Sequence, residues 1–475
     1  MNRFFSIAIV GLGTCLAGQV PAGEPVAVKY SPYAGRDYPD RVLFGDTHHH
    51  TANSGDAFFN GDRLGPADAY RFALGEEITS SSGVAVRLSR PLDFLVITDH
   101  AEGLGTGYEV FNGNPALISD PQVKSWSEAL QAGGQAAGDA MNELISAQAQ
   151  GTLPGPLQDP KIIGPVMKSV WQQYTATAEA FNDPGRFTAM IGYEWTSVPG
   201  GNNLHRNVFY RDGKRLADQM LPFTSWQSED PEQLWAWMAR YEEKTGGRLL
   251  AIPHNGNLSN GRMFELIDFE GNPLDRDYAE RRARWEPLQE MIQTKGSSET
   301  HPTLSPNDEF ADYGIAGWEY GNLTLEESPE TPEMRPTMYL RGGLLRGLEQ
   351  RVKLGVNPFQ FGFVGGTDVH NSLTAIEEDN FMGKHVNQEP RPGRWEHVSK
   401  QGFGKTRFTW HYMAAGYAAV WARENTREAI WDAMARREVY ATSGTRMTVR
   451  FFGGWSFDDQ DAASRYVADA GYARG

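Results

Sequence analysis

Three consecutive histidines stand in the stretch 44-FGDTHHHTANSGD-56, in a chain of 475 residues that has only 11 histidines. His48 and His50 are two positions apart, and alternate residues of an extended strand point to the same side. A His-x-His pair at a strand end therefore aims two imidazoles at one point, a geometry that suits Zn, Mn or Fe. Asp368-Val369-His370 repeats the spacing with a carboxylate as its first member. Asp99-His100 follows Ile97-Thr98, Glu194 follows Gly192-Tyr193, and His254 follows Pro253. Each has an ordinary alternative as a cap, a surface carboxylate or a hydrogen-bonded core histidine. All five recur in one context, the end of a buried apolar run, and chance does not readily place them so.

The elements that must position these groups are short apolar runs ending in polar residues. They are Arg41 to Asp46, Leu92 to Thr98, Phe187 to Tyr193, Leu249 to Pro253, Met291 to Thr294, Gly317-Trp318 and Phe361 to Thr367. Continuous runs of this length read as strands buried on both faces, as in a parallel sheet. Helices are expected between them at Pro66 to Glu76, Ser125 to Ala149, Pro231 to Lys244 and Thr426 to Arg437. The alternation gives an α/β fold. Candidate groups at the ends of some seven strands fit a closed α/β barrel better than an open sheet with one switch point. About 122–183, rich in Ala, Gln and Gly, and about 268–284, highly charged, read as insertions.

The order His-x-His, Thr-Asp-His, Gly-x-Glu, lone His and late Asp-x-His resembles the PHP (polymerase and histidinol phosphatase) superfamily, through a family long described as a domain of unknown function. The resemblance runs through 45-GDTHHHTANSGDA-57, 91-PLDFLVITDHAEGLG-105, 253-PHNGNLSNG-261, 291-MIQTKGSSETHP-302, 366-GTDVHNS-372 and 417-YAAVWARENTREAIWDAMARREVYATSG-444. It implies a distorted seven-stranded β/α barrel, TIM-like and PHP-type, with helical and loop insertions. It also implies two or three divalent metal ions (Zn, Mn or Fe) on nine ligands: His48, His50, Asp56, His100, Glu194, His205, His254, Asp368 and His370. Glu194 takes the place of the carboxylate that bridges two metals. His49 should then face away, with Asp46 and Asp99 orienting imidazoles.

The expected chemistry is hydrolysis, above all of a phosphoester, by a metal-bridging hydroxide. The alternatives are an amidohydrolase-type enzyme cutting a C–N or C–O bond, and a metal-binding protein without turnover. Asp99, Glu299 and His301 are candidates for the acid. Lys295 and Arg206 are candidates for binding an anionic substrate, and Asn255, Asn257 and Asn260 for lining the pocket. No nucleophile elbow, P-loop or dinucleotide fingerprint is present.

Bulk composition narrows the partners. Net charge is -16 without any basic run, so nucleic acid is not an expected partner. A small phosphorylated molecule remains open to a site whose local field is set by cations. Residues 1–22 read as a cleaved secretory signal peptide: Arg3, an apolar run from Phe4, then Val20-Pro21-Ala22. The only cysteine, Cys15, falls inside it, and Thr14 before it fits lipoprotein anchoring poorly. The mature chain, 23–475, is thus expected as a single exported domain, periplasmic or secreted, free of the membrane and of disulfides. Its oligomeric state is not legible.

Overall fold

The computed structural model describes residues 38–149, 152–319, 330–402 and 405–474. The expected signal peptide, with Cys15, lies outside them. Nine strands matter for the site: β1 (Val42–Asp46), β2 (Phe94–Ile97), β3 (Thr188–Trp195), β4 (Arg206–Tyr210), β5 (Leu249–Pro253), β6 (Leu288–Gln293), β7 (Gly362–Gly365), β8 (Ala418–Trp421) and β9 (Val439–Ala441). Every residue of β1 to β5 is buried, including those of β4, Arg206–Tyr210, which is not one of the apolar runs. Gly317-Trp318, expected as a strand, instead closes a series of turns, with Trp318 buried against Leu258 and Tyr412.

One curled sheet has the order β9-β8-β1-β2-β3-β4-β5. Its centre, β1-β2-β3, is parallel. Its flanks are antiparallel, so the wholly parallel sheet expected from the buried runs is in fact mixed. β6 and β7 pair in parallel in a second sheet, with Gly296–Ser297 as a third, short strand. A parallel bridge between His49 and Val369 joins the two sheets. Among the described residues no strand pairing joins β5 to β6. The closed barrel expected from the sequence is therefore, in its hydrogen bonding, a half-barrel sheet with a smaller sheet beside it.

Strand alternation sorts the core into two faces. Leu95, Ile97, Ala189, Ile191, Val208, Tyr210 and Leu249 belong to one apolar cluster, which reaches Trp171 and Tyr174 of the helix Pro160–Phe181. Leu43, Phe94, Val96, Met190, Phe209, Leu250, Ile252, Leu288, Val364 and Val420 belong to another, so residues from both sheets share one interior. The helix Arg427–Ala435 adds Ile430, Trp431 and Met434 to that interior. Its start is set by Thr426, whose hydroxyl accepts from the amide of Ala429.

The segment read as the first insertion is helical, with its own apolar cluster around Phe58, Val110, Val123, Trp126 and Leu130. The single helix expected from Ser125 to Ala149 is two, Pro121–Ala132 and Gly134–Ala149. The break falls at Gly133 and Gly134, whose φ angles of 75° and 60° suit glycine. The chain divides into two compact units. Pro39–Arg450 holds both sheets. In the other, the described residues are Tyr38 and 451–474, with short helices at Asp459–Ala463 and Val467–Arg474 and a stacked Tyr38–Tyr472 pair. Among the described residues no helix is long and apolar enough to cross a membrane.

Candidate metal centre

The alternation that fills the interior also delivers the polar groups. On β3, Met190 points inward, and Glu194 is four residues on. On β5, Ile252 points inward, and His254 is two residues on. Past β2, Thr98 and His100 continue the face of Phe94 and Val96; past β7, Gly366 and Asp368 continue that of Val364. β4 runs the other way, so its contribution, His205, precedes the strand. Gly366 has no alternative here: a Cβ would lie 2.3 Å from Glu290 Oε2 and 2.7 Å from His48 Cβ.

Glu194 is the pivot. Its Oε2 lies 3.4 Å from His48 Nε2 and 3.1 Å from His50 Nε2. Asp368 Oδ1 lies 3.4 Å from each of the same two nitrogens. Glu194 Oε1 faces another pair, at 2.5 Å from His205 Nδ1 and 3.1 Å from His254 Nε2. A third group forms around Asp56, 3.3 Å from His100 Nε2 and 2.8 Å from His370 Nε2. Imidazole binds zinc at about 2.0–2.1 Å, so two ligands of one tetrahedral ion stand about 3.4 Å apart. The histidine–carboxylate distances among His48, His50, Glu194 and Asp368, 3.1–3.4 Å, are near that spacing. His48 Nε2, His50 Nε2 and Glu194 Oε2 are buried and make no hydrogen bond, which is costly unless a cation completes them. The donor sets His48–His50–Asp368, His48–Glu194–His254 and His50–His100–His370 are each close enough to hold a metal. The residues present therefore fit divalent ions.

Surrounding groups fix the imidazoles. Glu290 Oε2 holds His48 Nδ1 at 2.8 Å. Ser54 Oγ donates to Asp99 and so can only accept from His50 Nδ1, which leaves the Nε2 lone pair facing inward. Thr196 Oγ1 lies 2.6 Å from His100 Nδ1. The Lys384 ammonium lies 2.8 Å from both Asp368 Oδ1 and His370 Nδ1. Asp368 itself adopts a left-handed backbone conformation, φ 55°, rare for a non-glycine residue and a form of strain concentrated at functional sites.

Electrostatics follows the packing. Burial pushes His48, His205 (to about 4) and His370 (to about 3) down, toward the neutral form that a metal needs. Burial would lower His100 too, but the charges of Glu194 and Asp56 raise it to about 10. Burial alone would raise Glu194 and Asp368; the neighbouring histidines and lysines hold both well below the ordinary carboxyl range.

The structure brings all nine expected ligands together and separates the other candidates. Lys295 is inside the cluster, its ammonium 2.5 Å from Asp368 Oδ2. Asp99 is not a free acid: both its oxygens are taken by Thr51 and Ser54, and it reaches His50 only through Ser54. Glu299 is paired with Arg341, and His301 packs on Tyr339 beside Thr303, so neither contacts the ligands. Arg206 is neither a surface charge nor a pocket cation; it is buried against Glu286. Asp46 accepts from the amides of His48 and Thr367 and the hydroxyls of Thr367 and Thr374, so it clasps backbone rather than orienting an imidazole. Gln293 spans Asn255 and Asp368 at 2.7 Å each, which brings Asn255 to the edge of the site. Asn257 bonds the Lys295 carbonyl, and Asn260 bonds Asn202. Glu290 and Lys384 were not foreseen. Glu290 precedes the recognised run Met291 to Thr294 by one residue, and Lys384 sits in a loop without periodicity.

A family profile described as a protein of unknown function (DUF3604) matches residues 37–475. Comparison with curated proteins gives no match. Among solved structures the chain is similar to a two-domain protein from Bacteroides vulgatus ATCC 8482, described as containing a predicted PHP-like metal-dependent phosphoesterase. That likeness has a TM-score of 0.31 and 11% identity, over 86% of this chain and 67% of that one.

Proposed function

The chain belongs to the DUF3604 family, and we propose from its site that it is a metal-dependent hydrolase acting on phosphoesters. The observation that carries the metal is the buried quartet His48, His50, Glu194 and Asp368, with histidine–carboxylate distances of 3.1–3.4 Å and three donor atoms that have no hydrogen bond. The phosphoester is supported by the order of motifs from His48 to His370, which resembles the PHP superfamily. Zn, Mn or Fe held there would supply a Lewis acid and a water ionised near neutral pH.

The chain's own residues do the rest. Glu194 presents one oxygen to His48 and His50 and the other to His205 and His254, spanning two positions. Glu290 and Ser54 hold the imidazoles of His48 and His50 so that their Nε2 lone pairs face the centre. Lys384 keeps Asp368 and His370 in place. Burial on nearly all sides excludes bulk water and strengthens every charge interaction within. The same proposal includes export, supported by residues 1–22, and a small-molecule substrate.

Elemental analysis of protein purified without chelator, with hydrolysis assays on the same sample, tests this. Bound metal with chelator-sensitive cleavage of phosphate esters is expected. Bound metal with cleavage of amides or carboxylic esters only would transfer the assignment to amidohydrolase-type chemistry. Protein that neither contains nor takes up metal would overturn the proposal.

A further inference from the structure

Among the described residues of the unit Pro39–Arg450, five aromatic side chains are exposed: Trp226, Phe310, Tyr313, Trp395 and Trp410, from 45% at Tyr313 to 73% at Phe310. Apolar residues scattered singly over a surface need no explanation. These five are not scattered. Phe310 and Tyr313 lie in the turns beyond Gly296–Ser297, after β6, and Trp395 in the loop that follows β7. Trp410 precedes β8, which runs antiparallel to β1, so its entry, with Ala418 opposite Gly45, is at the ligand end. Trp226 comes after β4, but the amide of its neighbour Ser225 donates to Glu102, two residues past His100. All five therefore stand on the side of the sheets that carries the metal ligands.

Four of the rings are also tied in place. The far edge of the Trp226 indole, Cη2, lies 3.4 Å from where a Cβ of Gly103 would stand. Tyr313 donates its hydroxyl to the Ser443 carbonyl at 3.1 Å. The Trp410 ring lies 3.8 Å from that of His411, centre to centre. The Thr409 amide donates to the His397 carbonyl at 2.8 Å, which joins the Trp410 turn to the Trp395 turn. From there the centre is near. The Tyr412 ring is 6.4 Å from that of His385, which is 5.2 Å from that of the ligand His370. The Met413 amide donates to the carbonyl of Thr294, beside Lys295. Large rings that are fixed and still exposed offer contact area at a low cost in entropy.

The surrounding charge narrows what they meet. The loops 221–230, 298–319 and 371–413 hold twelve acidic side chains against six basic ones. The acids accompany the rings: Glu309 precedes Phe310, Asp312 precedes Tyr313, and Glu396 follows Trp395. The charge of Glu378 acts on both Tyr313 and Arg394, and that of Glu319 on His411. Such a surface repels nucleic acid and anionic lipid. It suits a ligand with apolar ring faces and hydroxyl donors at its edge. A sugar ring is that ligand: its C–H face packs on an aromatic face and its hydroxyls donate to carboxylates.

We propose that this face binds a carbohydrate chain, with sugar rings lying on the exposed aromatic side chains, and that the ester presented to the metal centre is carried by that chain. The first half stands on the surface alone; the second rests on the hydrolase reading above. Water adds its oxygen to phosphorus and gives up a proton, and the P–O bond to the sugar breaks. The sugar oxygen keeps the electron pair and takes up a proton, with no redox change.

The test is a microarray of neutral plant, algal and microbial polysaccharides, probed with the metal-loaded protein beside double-stranded DNA and phosphatidylglycerol vesicles. At least one polysaccharide should bind, and DNA and vesicles should not. In affinity electrophoresis with that polysaccharide, Trp395→Ala and Trp410→Ala should each weaken binding at least tenfold, with metal content and Tm unchanged. Trp410→Phe should keep most of the binding. Should one alanine variant fail to fold, the other decides. Binding to no polysaccharide, binding to DNA or vesicles in its place, or binding that neither alanine weakens would overturn the proposal. Polysaccharide binding by a chain that holds no metal would uphold the first half and overturn the second together with the hydrolase reading. Metal with phosphoester cleavage but no polysaccharide binding would overturn this proposal alone.

Discussion

Glu194 is the residue on which the site turns, since its two oxygens face different histidine pairs. Glu194→Gln removes the charge while keeping the shape. It should lose at least one metal equivalent and essentially all turnover, read by elemental analysis and activity on one sample. His49 is the contrasting neighbour. It is fully buried, lies 3.7 Å from Asp46, and belongs to none of the metal-capable groups. His49→Ala should keep its metal content and lose about 1–3 kcal/mol of stability from the cavity, read by urea unfolding. A missing metal equivalent would reverse that assignment. At this scale the clustering was legible, because histidines and carboxylates at strand ends are chemically distinctive. What escaped was the support: nothing about Ser54, Glu290 or Lys384 in the sequence distinguishes a residue that holds an imidazole from one that holds solvent.

At the scale of elements, period-two alternation explains both the core and the rim in β2 to β5 and in β7. β4 was hidden because Arg206 opens it and Arg211 follows it, and a charged residue argues against burial until its partner is known. Glu286, 80 residues away, is that partner. The antiparallel flanks were hidden for a related reason: burial on both faces suggests a parallel sheet, and packed helices give antiparallel strands the same burial. Loops also carry stored cost. Burial raises Asp62 to about 7, although it accepts from Ser81, Ser372 and the Leu64 amide. A raised carboxyl binds its proton more tightly in the folded chain. Its contribution is complete below about pH 4, the ordinary carboxyl range, and is lost as pH rises toward 7. Asp62→Asn should therefore flatten the decline in stability between about pH 4 and 7, measured by urea unfolding at several pH values. An unchanged slope would mean that the proton is not held there.

For the molecule as a whole, a cluster of carboxylates and imidazoles inside an apolar interior is stable only when its charges are matched. Lysines match part of the negative charge, and metals are proposed to match the rest. A ligand that binds only the folded state adds ~2.7 kcal/mol at a free concentration a hundredfold above its Kd. A chelator should accordingly lower Tm by several degrees, and the metal added back should restore it. A Tm indifferent to both would mean that the cluster is satisfied without ions.

The bridge between His49 and Val369 has a consequence in time rather than in space. His370 and Asp56, which face each other across the centre, are 314 positions apart in the chain. A polypeptide made from its N-terminus exposes the three histidines long before the segment that completes them, and such distant pairings form late. No nascent fragment can assemble the proposed ligand set. Were the chain exported before folding, as proposed, the compartment in which it folds, and not the one in which it is made, would decide which metal it acquires.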